Sequence, residues 1–313
     1  MKWKATLGLG ALALAGLSAW LWTPDLPRER LEATYLRRPS DMETVAGTRL
    51  HVRDDGPAEA RAANAARGPI VMIHGFGASL HTWEGWARPL SETRRVIRFD
   101  LPGSGLSPPD ATGRYTDERA AEIILGILDD KGIGRATLIG NSIGGRIAWR
   151  FAARHPERTD RLVLISPDGF ASQGFAYGVA PDISPMANAM RAVLPRAFVR
   201  ANLAPSYGDP NAMTEAALDR YYDLLRAPGG RGALIERMRQ TVLVDPRPLL
   251  AQITAPTLLI WGEKDRLIPV SNAQDYLAAL PEADLATFPA LGHVPQEEAP
   301  ADSLAPVRAF LDR

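Results

Sequence analysis

Ser142 stands in Gly140-Asn141-Ser142-Ile143-Gly144, between an apolar run, Ala136-Thr137-Leu138-Ile139, and a stretch with helical spacing, Ile143, Ile147, Ala148, Phe151 and Ala152. A serine on so tight a strand-to-helix turn projects its hydroxyl from the edge of a sheet. Small residues two before and two after it let the backbone turn and the helix pack close. The helix N-terminus adds partial positive charge where an oxyanion would form. A serine hydroxyl needs a base to become a nucleophile, and the chain offers His51, His74, His81, His155 and His293. His293 follows the run Ala286-Thr287-Phe288 and closes Ala290-Leu291-Gly292-His293. The chain order serine, acid, histidine asks for a carboxylate between them. Asp265, in Trp261-Gly262-Glu263-Lys264-Asp265, suits that place just past a strand; Glu263 and Asp168 are the alternatives. The amides of Phe76, in His74-Gly75-Phe76-Gly77, and of Ile143, directly after the serine, are the expected oxyanion donors.

Other polar residues have plainer readings. His74 is expected to brace its loop, and His51, His81 and His155 to be structural or exposed. Asp100 is expected to cap the loop holding Pro102 and Gly103. The arginines at 191, 196, 200, 226, 231, 237 and 239 read mostly as a solvated face. Cysteine is absent, which excludes disulfides, a thiol nucleophile and Cys-based metal sites. There is no H-E-x-x-H pattern, and Gly103-Ser104-Gly105 does not extend to a dinucleotide-binding G-x-G-x-x-G. No metal or other cofactor is therefore expected. Lys+Arg and Asp+Glu are 36 each, so the net charge is zero, which argues against a nucleic-acid partner.

The elements that must position these groups are short, non-alternating apolar runs: Ile70–Ile73, Arg95–Phe99, Ala136–Ile139, Leu162–Ile165 and Thr257–Ile260. Such runs suit strands buried on both faces. Helical patterns alternate with them, which predicts an α/β fold with a mostly parallel central sheet and helices on both faces. Glu43–Arg53 reads as a hairpin around Gly47. Residues 170–244 exceed what one crossover helix needs and read as an inserted helical cap, with helices expected at Ala187–Arg200, Thr214–Arg226 and Gly232–Gln240. The core is then 44–169 plus 245–313.

The N-terminus carries Lys2 and Lys4 and then an uncharged apolar run, Ala5–Trp22, flanked by Trp3, Trp20 and Trp22. As a helix it approaches the ~30 Å hydrocarbon thickness of a bilayer, with aromatic rings at the interfaces. The expectation is a single-pass inner-membrane anchor at residues 1–23, with the catalytic domain outside the cytoplasm. Ala13-Leu14-Ala15 leaves a cleaved signal peptide, and hence a secreted or periplasmic protein, as the alternative. Residues 24–43, with Pro24, Pro27 and Pro39, read as a linker.

Taken together, HGFG at 74–77, DLPGSG at 100–105, GNSIGG at 140–145, WGEKD at 261–265 and LGH at 291–293 resemble the α/β-hydrolase superfamily over roughly residues 44–313. The resemblance implies Ser142 as nucleophile, Asp265 as acid, His293 as base, and Phe76 and Ile143 as oxyanion amides. The apolar N-terminus, the cap and GNSxGG are similar to bacterial monoacylglycerol-lipase-like or family V lipase-like esterases, which implies a small-molecule or lipid ester as substrate. GNSxGG with the pattern from Trp261 to Pro269 also resembles the meta-cleavage-product hydrolases, which break a C–C bond; there a cap arginine would bind the substrate carboxylate. The segment after His293, Val294-Pro295-Gln296-Glu297, lacks the Trp-rich stretch associated with that group. Serine at 142 argues against dehalogenases and epoxide hydrolases, which carry Asp at this turn. A non-catalytic ligand receptor on the same fold is the reading from another class.

Overall fold

The computed structural model describes residues 22–61, 67–171 and 176–313. Eight strands form one sheet: β1 (Met42–Val45), β2 (Thr48–Asp55), β3 (Ile70–Ile73), β4 (Val96–Phe99), β5 (Ala136–Asn141), β6 (Thr159–Ile165), β7 (Thr257–Gly262) and β8 (Ala283–Phe288). Their order is β1-β2-β4-β3-β5-β6-β7-β8. The β1–β2 hairpin and the β2–β4 pair are antiparallel, and every other pair is parallel.

The helices in chain order are α1 (Arg28–Tyr35), α2 (Glu84–Leu90), α3 (Asp117–Asp130), α4 (Ile143–Arg154), α5 (Pro185–Ala189), α6 (Arg196–Leu203), α7 (Glu215–Leu225), α8 (Gly230–Gln240), α9 (Arg247–Leu250), α10 (Asn272–Ala279), α11 (Pro295–Glu298) and α12 (Pro300–Leu311). Successive side chains of a strand face opposite ways, so each apolar run feeds two cores. Val71, Ile73, Leu138, Leu162, Leu164 and Leu259 pack with Ile123, Ile127, Ile147 and Phe151 of α3 and α4. Ile70, Met72, Ile139, Val163, Ile165 and Ile260 pack on the other side with Trp86, Leu90, Leu304, Val307 and Phe310 of α2 and α12. The chain is thus an α/β sandwich with a helical cap, α5 to α8, between β6 and β7.

The structure differs from the sequence reading in four places. The helix expected over Ala187–Arg200 is two helices, α5 and α6. The first ends at Ala189 and the second starts only after Pro195, its N-cap; a proline there, lacking an N–H, keeps one helix from running through to Arg200. Residues 24–43 are not a free linker. Leu26 and Leu31 are buried against Leu106, Leu224 and Ala227, and Leu26 N–H donates to Arg226 O at 2.8 Å. Pro27 stands directly before α1, where its missing N–H breaks no helical hydrogen bond. Arg231 and Arg237 of α8 are buried, not solvated; the Arg237 guanidinium donates to the carbonyls of Pro102 and Tyr115. Finally, the inner-membrane placement does not stand. Among the described residues no helix is long and apolar enough to cross a membrane, and residues 1–21, which carried that expectation and the signal-peptide alternative, lie outside them.

Candidate active site

Ser142 joins β5 to α4 with φ 58° and ψ −123°. That is a left-handed conformation which a side chain adopts only under constraint. The constraint is visible in the packing. A Cβ at Gly144 would sit 2.2 Å from the Ile73 carbonyl and 2.6 Å from that of His74. The first turn of α4 therefore lies directly on the end of β3. Glycine alone permits this approach, and it brings the β3 loop to the serine: a Cβ at Gly75 would lie 3.3 Å from Ser142 Cβ.

That loop is held by a neutral imidazole. Leu101 N–H donates to His74 Nε2 at 2.9 Å, so the ring proton is on Nδ1, which donates to Gly75 O at 2.8 Å. Complete burial, the main cause, pushes the His74 pKa down. The chain has no cis peptide among the described residues, so the Phe76 N–H leaves the Gly75–Phe76 unit opposite to that anchored carbonyl. Phe76 itself is 40% exposed. Ile143 opens α4, where the first amides of a helix have no carbonyl partner within it.

The structure brings Asp265 and His293 together. Asp265 follows β7 and His293 follows β8, neighbours in the sheet. His293 Nδ1 donates to Asp265 Oδ2 at 2.7 Å. The other oxygen of Asp265 accepts the N–H groups of Leu267 and Ile268 at 2.8 and 2.9 Å. The alternatives are committed elsewhere. Asp168 pairs with Arg146, and Glu263 accepts from the Thr287 hydroxyl at the surface.

Ser142 and His293 both line a cavity of about 340 Å³ beneath the cap. Its walls are apolar: Met190, Leu194, Val199, Leu203, Leu234 and Met238 are among them, with Phe76 and Leu267 from the core. Among the described residues no Arg or Lys lines it. The cap arginines are engaged outside it. Arg191 pairs with Glu236, Arg196 and Arg200 with Glu215, and Arg231 with Asp25. A larger opening, about 690 Å³, lies at the opposite ends of the strands, with Ser142 absent from its lining. Its arginines 61, 94, 95 and 161 are paired with Asp54, Asp312, Asp54 and Asp160. Of the two, only the smaller cavity is lined by Ser142 and His293.

The remaining histidines are elsewhere. His51 Nδ1 lies 2.8 Å from Asp100 Oδ2; Asp100 also accepts the N–H groups of Leu80 and Leu106 at 2.6 and 2.9 Å. His81 contacts Arg53 and Ser79, and His155 is partly exposed at the end of α4. Among the described residues no three His, Asp or Glu side chains are grouped to share a metal ion. Sequence reasoning assigned no role to Asn141. Its side chain donates to the carbonyls of Ile165 and His293 at 3.1 and 3.0 Å, and it accepts from buried Gln296 at 3.2 Å. Its place beside Ser142 was visible, but not its partner 152 residues away.

The sheet order, the positive-φ turn at Ser142 and the Asp265–His293 pair together match the α/β-hydrolase fold. The chain belongs to the α/β hydrolase fold family, whose model matches residues 68–300. It is 31% identical over 259 residues to the dihydrolipoyllysine-residue acetyltransferase component of the acetoin cleaving system of Pseudomonas putida, matching 78% of this chain but spanning only 63% of that protein. It is 29% identical over 268 residues to the 2-hydroxy-6-oxo-6-phenylhexa-2,4-dienoate hydrolase of Burkholderia cepacia, covering 81% of this chain and 88% of the relative. Among solved structures it is similar to a membrane phospholipase A described as a bacterial virulence factor. That match has a TM-score of 0.72 and 26% identity over 100% of this chain and 98% of the other.

Proposed function

We propose that the chain is a serine hydrolase of carboxylic esters with apolar acyl groups, working through Ser142, His293 and Asp265. The observation that carries this reading is the cavity: apolar, without a cation among its described residues, and with Ser142 and His293 both in its lining. A neutral acyl chain is stabilised there by burial, at roughly 0.8 kcal/mol per CH₂. A carboxylate would be desolvated without a partner. The similarity to a phospholipase supports a lipid-derived ester.

In this reading His293 Nε2 takes the Ser142 proton as Oγ attacks the ester carbonyl. Asp265 holds the ring with Nδ1–H toward itself and stabilises the imidazolium that forms. The Phe76 and Ile143 amides receive the oxyanion. His293 then protonates the leaving alcohol, an acyl-enzyme remains, and water activated by the same imidazole releases the acid.

A second reading is C–C bond hydrolysis of a dienone acid. It is the one favoured by the names of relatives, the Burkholderia cepacia dienoate hydrolase among them, and by a 2-hydroxymuconate semialdehyde hydrolase of Pseudomonas putida at 32% identity. Such a substrate carries a carboxylate, and the described wall of the cavity provides no cation for it. The deciding experiment assays purified protein with a p-nitrophenyl acyl series and with a 2-hydroxy-6-oxo-dienoate. Ester turnover that grows with acyl length and no dienoate cleavage supports the ester reading. Dienoate cleavage with a kcat/KM above that of every ester overturns it.

A further inference from the structure

The peptide groups of His293 are gripped from two sides. Its N–H donates to the carbonyl of Ser206, in the cap, at 2.7 Å. Its carbonyl accepts from Asn141, beside Ser142 in the core, at 3.0 Å. Around this residue the cap segment 206–208 lies backbone to backbone on segment 290–293. A Cβ on Gly292 would come 2.5 Å from Ser206 O and 2.6 Å from Gly208 N, and one on Gly208 would come 2.1 Å from Ala290 O.

Two adjacent carboxylates close this contact. Glu298 accepts from Gly292 N–H at 2.8 Å and from Gly208 N–H at 2.9 Å. One side chain thus bridges the residue before His293 and the cap. Glu297, whose side chain is 8% exposed, accepts from the phenols of Tyr207 and Tyr221 at 3.0 Å each and from Arg220 at 2.9 Å. Both tyrosine rings line the cavity. Burial, with Glu297 beside them, raises both phenol pKa values, so they remain donors at any pH of interest.

Resting on the reading of His293 as the base, we infer that Glu298 is a positioning residue for the imidazole: it clamps the His293 loop to the cap, with Glu297 securing the cap tyrosines next to it. A seated cap and a correctly placed base are then one state. An acyl chain that fills the cavity and tightens the cap also tightens the base. A shift of about 1 Å at a reacting group can cost on the order of 100-fold in rate, so the clamp acts on kcat.

The test uses the whole chain with Glu298→Ala, Glu298→Gln and His293→Ala. Active sites are counted by fluorophosphonate labelling, and kcat, KM and the acid limb of the pH profile are measured on p-nitrophenyl acetate, which needs little of the apolar cavity. Asp265, in the loop after β7, is the carboxylate hydrogen-bonded to the imidazole, and Glu298 acts on the imidazole through the N–H of Gly292, the residue before His293. The expected result for Glu298→Ala is a kcat per labelled site lowered roughly 10- to 100-fold, with KM within about 3-fold and a displaced acid limb. Glu298→Gln should recover part of the loss, because one amide oxygen can still accept both N–H groups. A role in folding alone would lower the labelled fraction and leave kcat per site and the pH limb unchanged, and that outcome overturns the inference. Should the alanine variant not fold, Glu298→Asp, one methylene too short to bridge the Gly292 and Gly208 N–H groups, decides: a wild-type kcat per labelled site overturns the clamp, and a reduced one supports it. An active His293→Ala would sink the underlying base assignment. An inactive His293→Ala beside a wild-type-like Glu298→Ala would sink only the clamp.

Discussion

Asp265 and His293 meet at 2.7 Å although 28 residues separate them, and the carboxylate is fixed from behind by the Leu267 and Ile268 amides. An acid oriented in this way sets the tautomer of its histidine. Asp265→Asn should therefore lower kcat about 10²- to 10⁴-fold with little change in KM, while Ser142→Ala and His293→Ala should each lose at least about 10³-fold. Steady-state kinetics on a soluble ester, with circular dichroism to show intact folding, check this. Activity within 10-fold of wild type in Ser142→Ala would refute the nucleophile assignment.

Gly144→Ala should destabilise the protein even though alanine is the better helix former. The added methyl would stand 2.2 Å from the Ile73 carbonyl, and overpacking of this kind costs about 1–3 kcal/mol, more than the ~1 kcal/mol of helix propensity returned. Because the displaced strand end carries the Gly75–Phe76 loop, ester turnover should fall further than the folded fraction does. Urea unfolding and kcat on the same samples separate the two effects.

Leu234→Trp should change acyl preference. Leu234 lines the cavity, and an indole there takes volume from an apolar site of about 340 Å³. Turnover of long-chain esters should drop at least about 10-fold relative to acetate, in line with the few kcal/mol that pocket methylenes contribute. Equal kcat/KM ratios in the two proteins would place acyl binding elsewhere.

Stability should decline on mild acidification, in part through His81. Burial holds its pKa down to about 4, with Arg53 and His51 acting in the same direction and Asp100 opposing them. The unfolded chain takes up that proton near 6.5, so between about 6.5 and 4 the unfolded state binds more protons, and stability falls as pH drops through that window. His74, also lowered by burial, acts with the same sign. Between pH 7 and pH 5 the wild type should lose on the order of 2 kcal/mol more than His81→Gln, measured by urea unfolding at each pH. Parallel pH curves for the two proteins would show that His81 is protonated alike in both states.

Much of the fold was legible because its signals are local. Ile70–Ile73, Ala136–Ile139 and Thr257–Ile260 announce strands buried on both sides, and a glycine-flanked serine between such a run and a helical pattern announces a sharp turn. The same locality explains the misreadings. Pro24, Pro27 and Pro39 look like a spacer until Leu26 and Leu31 find Leu224 and Ala227, nearly two hundred residues away. Arg231 and Arg237 look solvated until Asp25 and the Pro102 carbonyl receive them.

By itself, the order of residues determined which strands form, where the backbone must turn sharply, and which few side chains could supply a nucleophile, a base and an acid. Only the folded chain decided that Asp265, and neither Asp168 nor Glu263, faces the imidazole; that the cap arginines turn away from the cavity; and that Glu298 ties Gly208 to Gly292. The reason is range. Periodicity and turn chemistry act over a few residues and can be read along the chain. The partner of a charge or an amide is chosen by the packing of the whole molecule, where neighbours in space are strangers in sequence.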